Sequence, residues 1–357
     1  MQLMTQDSER LSGRVSRRKF LIGGSTIGAT ALAGCTLGSG DESSGGPESL
    51  TADGSSTVYP ITNDAASLWN GNPPADDQEY WGPGQYDIDT DQNLADYWAG
   101  MYGFEATEER SVPPFQTQVA LSHSGTGVEA VISERVDVGD ASSTAESILG
   151  SDSDDLDNIV DHVVAVDGQP IVVSREIADA GVEQVTGDEL RAIYKGEINN
   201  WSEVGGPDKE IFAIGRAENS GTDTAFRKNL YGDPDAPISP DTRQGQNQQV
   251  ARLVGNNDNA IAYIALAFVE PDGDTPPIGL ELDGTLYEYG KNLGAKEYPL
   301  SRDLHCYTWE DTDDRESAFL NMILSEFGQQ NFVAPNNYFT LPPERREEER
   351  GKLADQA

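Results

Sequence analysis

Short apolar runs and stretches with a single apolar face succeed one another along this sequence. Residues 136–138, 159–166, 169–174, 211–214 and 260–265 are apolar over strand lengths and read as strands. Ile61, Ala65 and Leu68 share one helical face, as do Val128, Val131 and Ile132. A further helix is expected over about residues 223–230, and Phe319, Met322, Ile323 and Phe327 predict a C-terminal amphipathic helix. Two segments lack such patterning. Residues 35–49 are rich in Gly and Ser and read as a flexible tether. Residues 342–357 are highly charged, nearly free of apolar side chains, and read as a solvated tail.

The length of 357 residues suits two domains. With 36% hydrophobic residues, including 5 Trp, 13 Tyr and 10 Phe, there is enough apolar surface to build cores, so the chain is not a disordered one. Charge changes the picture more. The 62 acidic residues outnumber 24 basic ones, giving a formal charge of −38. That excludes capture of nucleic acid through a positive field and disfavours docking on anionic headgroups. The acids are dispersed, and 7 Lys stand against 17 Arg, a composition suited to high salt. At about 1 M salt the Debye length is about 3 Å, so an anion site in this chain must work by contact. Two cysteines exclude a disulfide framework, and three histidines leave little material for a His-rich metal centre. No metal and no cofactor are expected.

The N-terminal segment reads as an address. Ser16-Arg17-Arg18-Lys19-Phe20-Leu21 matches the twin-arginine export signature, followed by a weakly apolar stretch over residues 21–33 that is too short to span a membrane. Leu32-Ala33-Gly34-Cys35 then resembles a lipobox. Residues 1–34 are therefore expected to be a signal, with Cys35 lipidated and the protein anchored on the outer face of the cell membrane. Cys306 remains as a lone thiol, expected to be a buried small hydrophobe.

Four loops share one local design. Gly54-Ser55-Ser56-Thr57-Val58-Tyr59-Pro60 precedes the first helix, with proline where a first turn tolerates it. His123-Ser124-Gly125-Thr126-Gly127 precedes the second. Gly139-Asp140-Ala141-Ser142-Ser143-Thr144 follows the strand at 136–138, and Ser143 with Glu146 makes a capping box. The strand at 211–214 runs into Gly215-Arg216-Ala217-Glu218-Asn219-Ser220-Gly221-Thr222. Each loop alone is what an ordinary N-cap looks like. Together they offer unpaired helix N–H donors, hydroxyls and glycines that admit close backbone approach. With the two-pronged guanidinium of Arg216 they make a site for a small tetrahedral oxyanion without a metal. The alternative for Arg216 is a surface ion pair among many acids. No Gly-Lys-Ser/Thr follows these loops, so nucleotide hydrolysis is unsupported.

These loops, in this order, resemble the substrate-binding lipoprotein of the high-affinity phosphate ABC transporter. So do Leu190-Arg-Ala-Ile-Tyr-Lys-Gly196, Asn200-Trp201 and Asn259-Ala-Ile-Ala-Tyr-Ile264, over roughly residues 50–340. The resemblance implies an α/β, periplasmic-binding-protein-like (type II) two-domain clamp with two hinge strands and phosphate between the domains. It implies phosphate-binding roles for Thr57, Val58 (through its N–H), Ser124, Ser142, Arg216, Ser220, Gly221 and Thr222, with Ser56, Asp140 and Ser143 as additional candidates. Two departures stand out: a Pro/Trp/Tyr/Asp-rich stretch over residues 70–118, and Ser142 where the family often has an aspartate to accept the phosphate proton. Asp140, or the Ser142 and Ser143 hydroxyls, would then take that role, which bears on rejection of sulfate.

The expected layout is domain I from 50–170 with 266–341, domain II from 171–265, and a charged tail at 342–357. The expected partners are inorganic phosphate, the permease subunits of an ABC transporter and the membrane through the lipid anchor; the chain is expected to be a monomer. Alternatives are a binding protein for another oxyanion such as sulfate or molybdate, a secreted phosphatase, or a structural cell-surface protein. Against an enzyme, His123 beside Ser124 in sequence is no nucleophile–base pair, and His162 and His305 read as structural. No catalytic residue is assigned.

Overall fold

The computed structural model describes residues 49–218, 220–293 and 298–357; the twin-arginine segment, Cys35 and most of the tether lie outside them. Among the described residues, twelve strands form two sheets. The first holds β1 (Leu50–Gly54), β2 (Thr117–Val119), β3 (Val138–Ala141), β4 (Ile159–Gly168) and, far down the chain, β12 (Ser301–Trp309), in the order β2-β1-β3-β12-β4. The second holds β5 (Ile171–Val173), β6 (Gln184–Thr186), β7 (Phe212–Arg216), β8 (Thr242–Gln244), β9 (Ala260–Tyr263), β10 (Pro277–Leu282) and β11 (Thr285–Tyr287). Its main path runs β11-β10-β5-β9-β7-β8, with β6 beside β10.

Parallel pairing decides where the loops go. β1 is parallel to both β2 and β3, so the chain must cross over through helices Tyr59–Gly71 and Ser124–Ile132. In the second sheet β7 is parallel to β8 and β9, joined through helices Gly221–Tyr231 and Asn247–Asn256. A helix that follows a parallel strand starts at that strand's carboxyl end. In open α/β sheets that end is where ligand crevices form.

Several expectations need correction. The second sheet does not end at residue 265: β10 pairs with β5, β6 and β11, so the 277–287 segment belongs with it and not with the first domain. The reason is pairing, since the edge of β5 left open by β9 is completed by a strand more than a hundred residues later. The charged tail is not merely solvated. Residues Pro343–Arg350 form a helix; buried Glu349 accepts from the Val163 N–H at 2.9 Å, and Arg345 grips Asp303 with two bonds of 3.0 and 2.6 Å. Opposite charges on the first lobe dock it where apolar residues are lacking.

The helix Asp314–Leu324 is buried on all sides from Glu316 to Leu324, so it is not amphipathic. The 70–118 stretch supplies part of its outer cover. Asn321 Nδ2 lies 3.6 Å from Met101 Sδ, and just past the end of the helix Trp81 stands edge-on to Phe327 at 4.9 Å; Trp69, from helix Tyr59–Gly71, meets Phe319 at 6.0 Å. Ser143 and Glu146 form no capping box; Thr144 is the N-cap of Ala145–Leu149, accepting from the Ser147 N–H.

Candidate functional site

From the first lobe, the turn after β1 brings Ser55, Ser56 and Thr57, all buried, to the start of helix Tyr59–Gly71. Gly54 has φ +142°, and a Cβ there would lie 2.1 Å from the Asp140 carbonyl, so only glycine lets β1 and β3 run this close into the turn. Ser124 opens its helix as the first helical residue, and Ser142 follows β3. The hydroxyls gather: Ser55 Oγ donates to Ser142 Oγ at 3.0 Å, Ser124 Oγ lies 3.3 Å from Ser142 Oγ, and the Ser142 N–H donates to Ser124 Oγ at 3.1 Å.

The second lobe presents the end of β7 and the first turn of helix Gly221–Tyr231, whose N-cap is Ser220. Gly221 lies directly on the first lobe. A Cβ on it would sit 2.5 Å from Ser124 Oγ and 2.9 Å from Ser142 Oγ. Thr222 Oγ1 stands 3.2 Å from Thr57 Oγ1, so hydroxyls of the two lobes meet. Thr57, Ser56, Ser124, Ser142, Arg216, Ser220, Gly221 and Thr222, predicted from separate loops, converge in one place.

Arg216 is only 1% exposed. Its Nε donates to the Gln244 carbonyl at 3.2 Å, Nη1 to Thr222 Oγ1 at 3.0 Å and Asn247 Oδ1 at 2.7 Å, and Nη2 to the Gly245 carbonyl at 2.7 Å and Ser56 Oγ at 3.3 Å. Every one of these acceptors is neutral. The nearby carboxylate, Asp223, is taken by the Tyr263 hydroxyl and by Arg227 and Arg243. The surface-ion-pair alternative is therefore wrong among the described residues. Burial, with the field of Arg302 in addition, pulls the Arg216 pKa down to about 10. A guanidinium out of water without a counter-charge in contact is a receptor for an anion.

At Ser56 donors outnumber lone pairs. Ser56 Oγ has two lone pairs but lies within reach of three donors: Arg216 Nη2, the Asn247 N–H at 3.3 Å and Asn247 Nδ2 at 3.2 Å. Thr57 Oγ1 receives Asn247 Nδ2 at 3.0 Å and Arg302 Nη2 at 3.3 Å. Such a cluster matches a small ligand carrying several acceptor oxygens.

Three expected residues stand differently. The Val58 N–H is turned back to the Ser55 carbonyl at 3.1 Å within its own turn. The Asp140 carboxylate faces the interior of the first lobe, where Oδ2 accepts from Thr62 Oγ1 at 2.7 Å and Oδ1 from Cys306 Sγ at 3.4 Å. Strand alternation would put Asp140 and Ser142 on one face, but β3 ends at Ala141, so Ser142 escapes that alternation and meets Ser55 and Ser124 instead. Ser143 is buried beside it, with its carbonyl accepting from the Tyr307 hydroxyl at 3.4 Å. Cys306 is buried as expected, but it also serves as a donor. His162 bonds Thr312 Oγ1 at 2.8 Å and His305 bonds Asp161 at 2.7 Å, so both are held in structural contacts.

Sequence reasoning missed Asn247 and Arg302. Asn247 opens helix Asn247–Asn256 without any hydroxyl- or glycine-rich loop around it, and Arg302 lies on β12, 245 residues from the Thr57 it touches. No local motif marks either. Among the described residues no group of three or more His, Cys, Asp or Glu side chains is placed to hold a metal ion.

Comparisons with known proteins bear on the family and the fold. Residues 95–326 match the PBP superfamily domain. The phosphate-binding protein PstS of Bacillus subtilis (strain 168) is 33% identical over 229 residues, 64% of this chain and 72% of its own. The protein of the same name from Staphylococcus saprophyticus is 26% identical over 347 residues, covering 94% of both chains. Among solved structures, a candidate phosphate ABC transporter substrate-binding protein from Clostridium perfringens, with bound phosphate, superposes with a TM-score of 0.61 at 20% identity. That match covers 82% of this chain and 100% of the other.

Proposed function

The chain belongs to the PstS phosphate-binding family within the PBP superfamily, and from that premise we propose that the hydroxyl and guanidinium cluster between its lobes is where it holds phosphate. It is a transport receptor, not an enzyme: it binds inorganic phosphate outside the cell and delivers it to an ABC transporter. The residues we assign to the anion are Ser56, Thr57, Ser124, Ser142, Arg216, Ser220, Gly221 and Thr222, with Asn247 added. The observation that carries the assignment is Arg216, buried with only neutral acceptors in contact, one of which, Ser56 Oγ, is approached by three donors for two lone pairs. Asp140 is left out because its carboxylate is spent on Thr62 and Cys306, so the phosphate proton falls to the hydroxyls of Ser124 and Ser142.

Calorimetric titration in high salt with phosphate, sulfate and molybdate tests this. Phosphate is expected to bind most tightly, and Arg216→Ala to lose affinity by roughly 100-fold or more while melting as a folded protein, since a charge-assisted fork is removed. Unchanged phosphate binding in that variant removes Arg216 from the site, and tighter sulfate binding in the wild type favours the other-oxyanion reading.

The same reading extends to the cell. Support for twin-arginine export and lipidation at Cys35 is Ser16-Arg17-Arg18-Lys19-Phe20-Leu21 followed by Leu32-Ala33-Gly34-Cys35. Support for a high-salt habitat is the charge of −38 with few lysines. A monomer anchored by lipid to the outer face of the cell membrane completes the proposal.

A further inference from the structure

Two donors at the interlobe cluster, Asn247 and Arg302, belong to none of the four loops, and Arg302 carries charge. Arg302 stands near the start of β12 with its side chain 5% exposed. It directs Nη1 to the Ser142 carbonyl and Nη2 to Thr57 Oγ1, both at 3.3 Å. Its other edge is held far more tightly: Nε and Nη2 donate to Asp167 Oδ2 at 3.0 and 2.7 Å. Asp167 is itself fully buried, and its Oδ1 accepts from the Leu266 N–H at 3.0 Å. The carboxylate is thus fixed at both oxygens and orients the guanidinium plane.

We propose, on the reading that this cluster is the phosphate site, that Arg302 is a second anion-contacting residue and that Asp167 is the positioning residue that aims it. Two observations carry this. First, the Arg302 donors that face the cluster rest on neutral oxygens at long distance, while those that face away make short, charge-assisted bonds. An anionic oxygen is the stronger acceptor for the former. Second, a path of two hydroxyls connects the two guanidinium groups: Arg302 Nη2 reaches Thr57 Oγ1, which lies 3.2 Å from Thr222 Oγ1, which accepts from Arg216 Nη1 at 3.0 Å. Two buried cations this near each other repel, and Asp167 offsets only one. A tetrahedral anion between them, with a fork on either side, relieves that repulsion. Phosphate would then be gripped from both lobes by charge, Arg302 from the first and Arg216 from the second.

Arg302→Gln alone leaves the Asp167 carboxylate buried without its cation, a change expected to unfold or weaken the protein for reasons unrelated to phosphate. The decisive variant is therefore R302Q/D167N, which removes both charges with side chains of similar shape and keeps the net charge of the chain. Titration of inorganic phosphate into this variant and into the wild type, in high salt, is expected to show a loss of roughly 10- to 100-fold in affinity. A merely structural pair predicts wild-type affinity in the double variant, and that result overturns the proposal. Should the double variant not fold, a crystal structure of the wild type with phosphate decides. An Arg302 Nη about 3 Å from a phosphate oxygen supports the role; an Arg302 that meets only protein atoms ends it. A wild type that binds no phosphate instead overturns the functional assignment of the cluster, and this inference with it.

Discussion

Asp140 shows how a side chain's direction, not its neighbourhood in the chain, decides its role. It sits two residues before Ser142, yet its carboxylate is enclosed with Thr62 and Cys306. Burial there raises its pKa from 3.8 to about 7. The folded protein therefore binds this proton more tightly than the unfolded chain. The stabilisation this brings is fully present below about pH 4 and is lost as pH rises through about 7. Asp140→Asn cannot ionise, so its stability relative to wild type is expected to grow as pH rises from about 4 to about 8. Thermal melts across that range check it, and a constant offset would show that Asp140 does not titrate there. Phosphate affinity of the same variant is expected to match wild type; a lost preference for phosphate over sulfate would return Asp140 to the site as proton acceptor. Local chemistry singled out the loops that carry Thr57, Ser124, Ser142, Arg216 and Thr222 as candidates because hydroxyls, glycine and arginine at helix starts form a pattern within a few residues. Arg302 and Asn247 had no such pattern, since their partners lie 245 and 190 residues away.

Helix Gly221–Tyr231 has its meaning in where its first turn rests. Gly221 is the point at which the second lobe touches Ser124 and Ser142, and it has no positive φ that would forbid alanine. Gly221→Ala should therefore fold, since alanine suits a helix better than glycine. Its Cβ, however, would need the space 2.5 Å from Ser124 Oγ, holding the lobes apart. The expected outcome is a loss of phosphate affinity of about tenfold or more, with little change in melting temperature. Wild-type affinity in a titration would mean that the lobes do not close on this contact. Element identity followed from periodicity for the helices after β1 and β2, but element boundaries did not. The cap of Ala145–Leu149 falls on Thr144, not Ser143, because the end of β3 sets where the chain can turn. The apolar set at 319, 322, 323 and 327 predicts a one-sided helix because it is read locally, whereas part of the outer cover of Asp314–Leu324 comes from residues 70–118.

At the scale of the molecule, the charge of −38 is borne by a surface that repels itself unless ions screen it. The melting temperature is expected to rise as salt goes from about 0.1 to about 1 M, over which the Debye length falls from about 10 to about 3 Å. A flat or falling series of melts in potassium chloride would separate the acidic composition from a high-salt habitat. The docking of Pro343–Arg350 through Glu349 and Arg345 belongs to the same scale, for it turns an apparent polar tail into part of the first lobe. Read without coordinates, the chain already disclosed its four donor loops, their order and the anion chemistry they imply, because capping, glycine geometry and apolar spacing act over a few residues. It did not disclose that the second sheet runs on through β10 and β11, that Asp140 faces inward, or that Arg302 and Asn247 join the crevice. Those depend on strand pairing and on the meeting of two lobes, which connect residues hundreds of positions apart through contacts that no local pattern records.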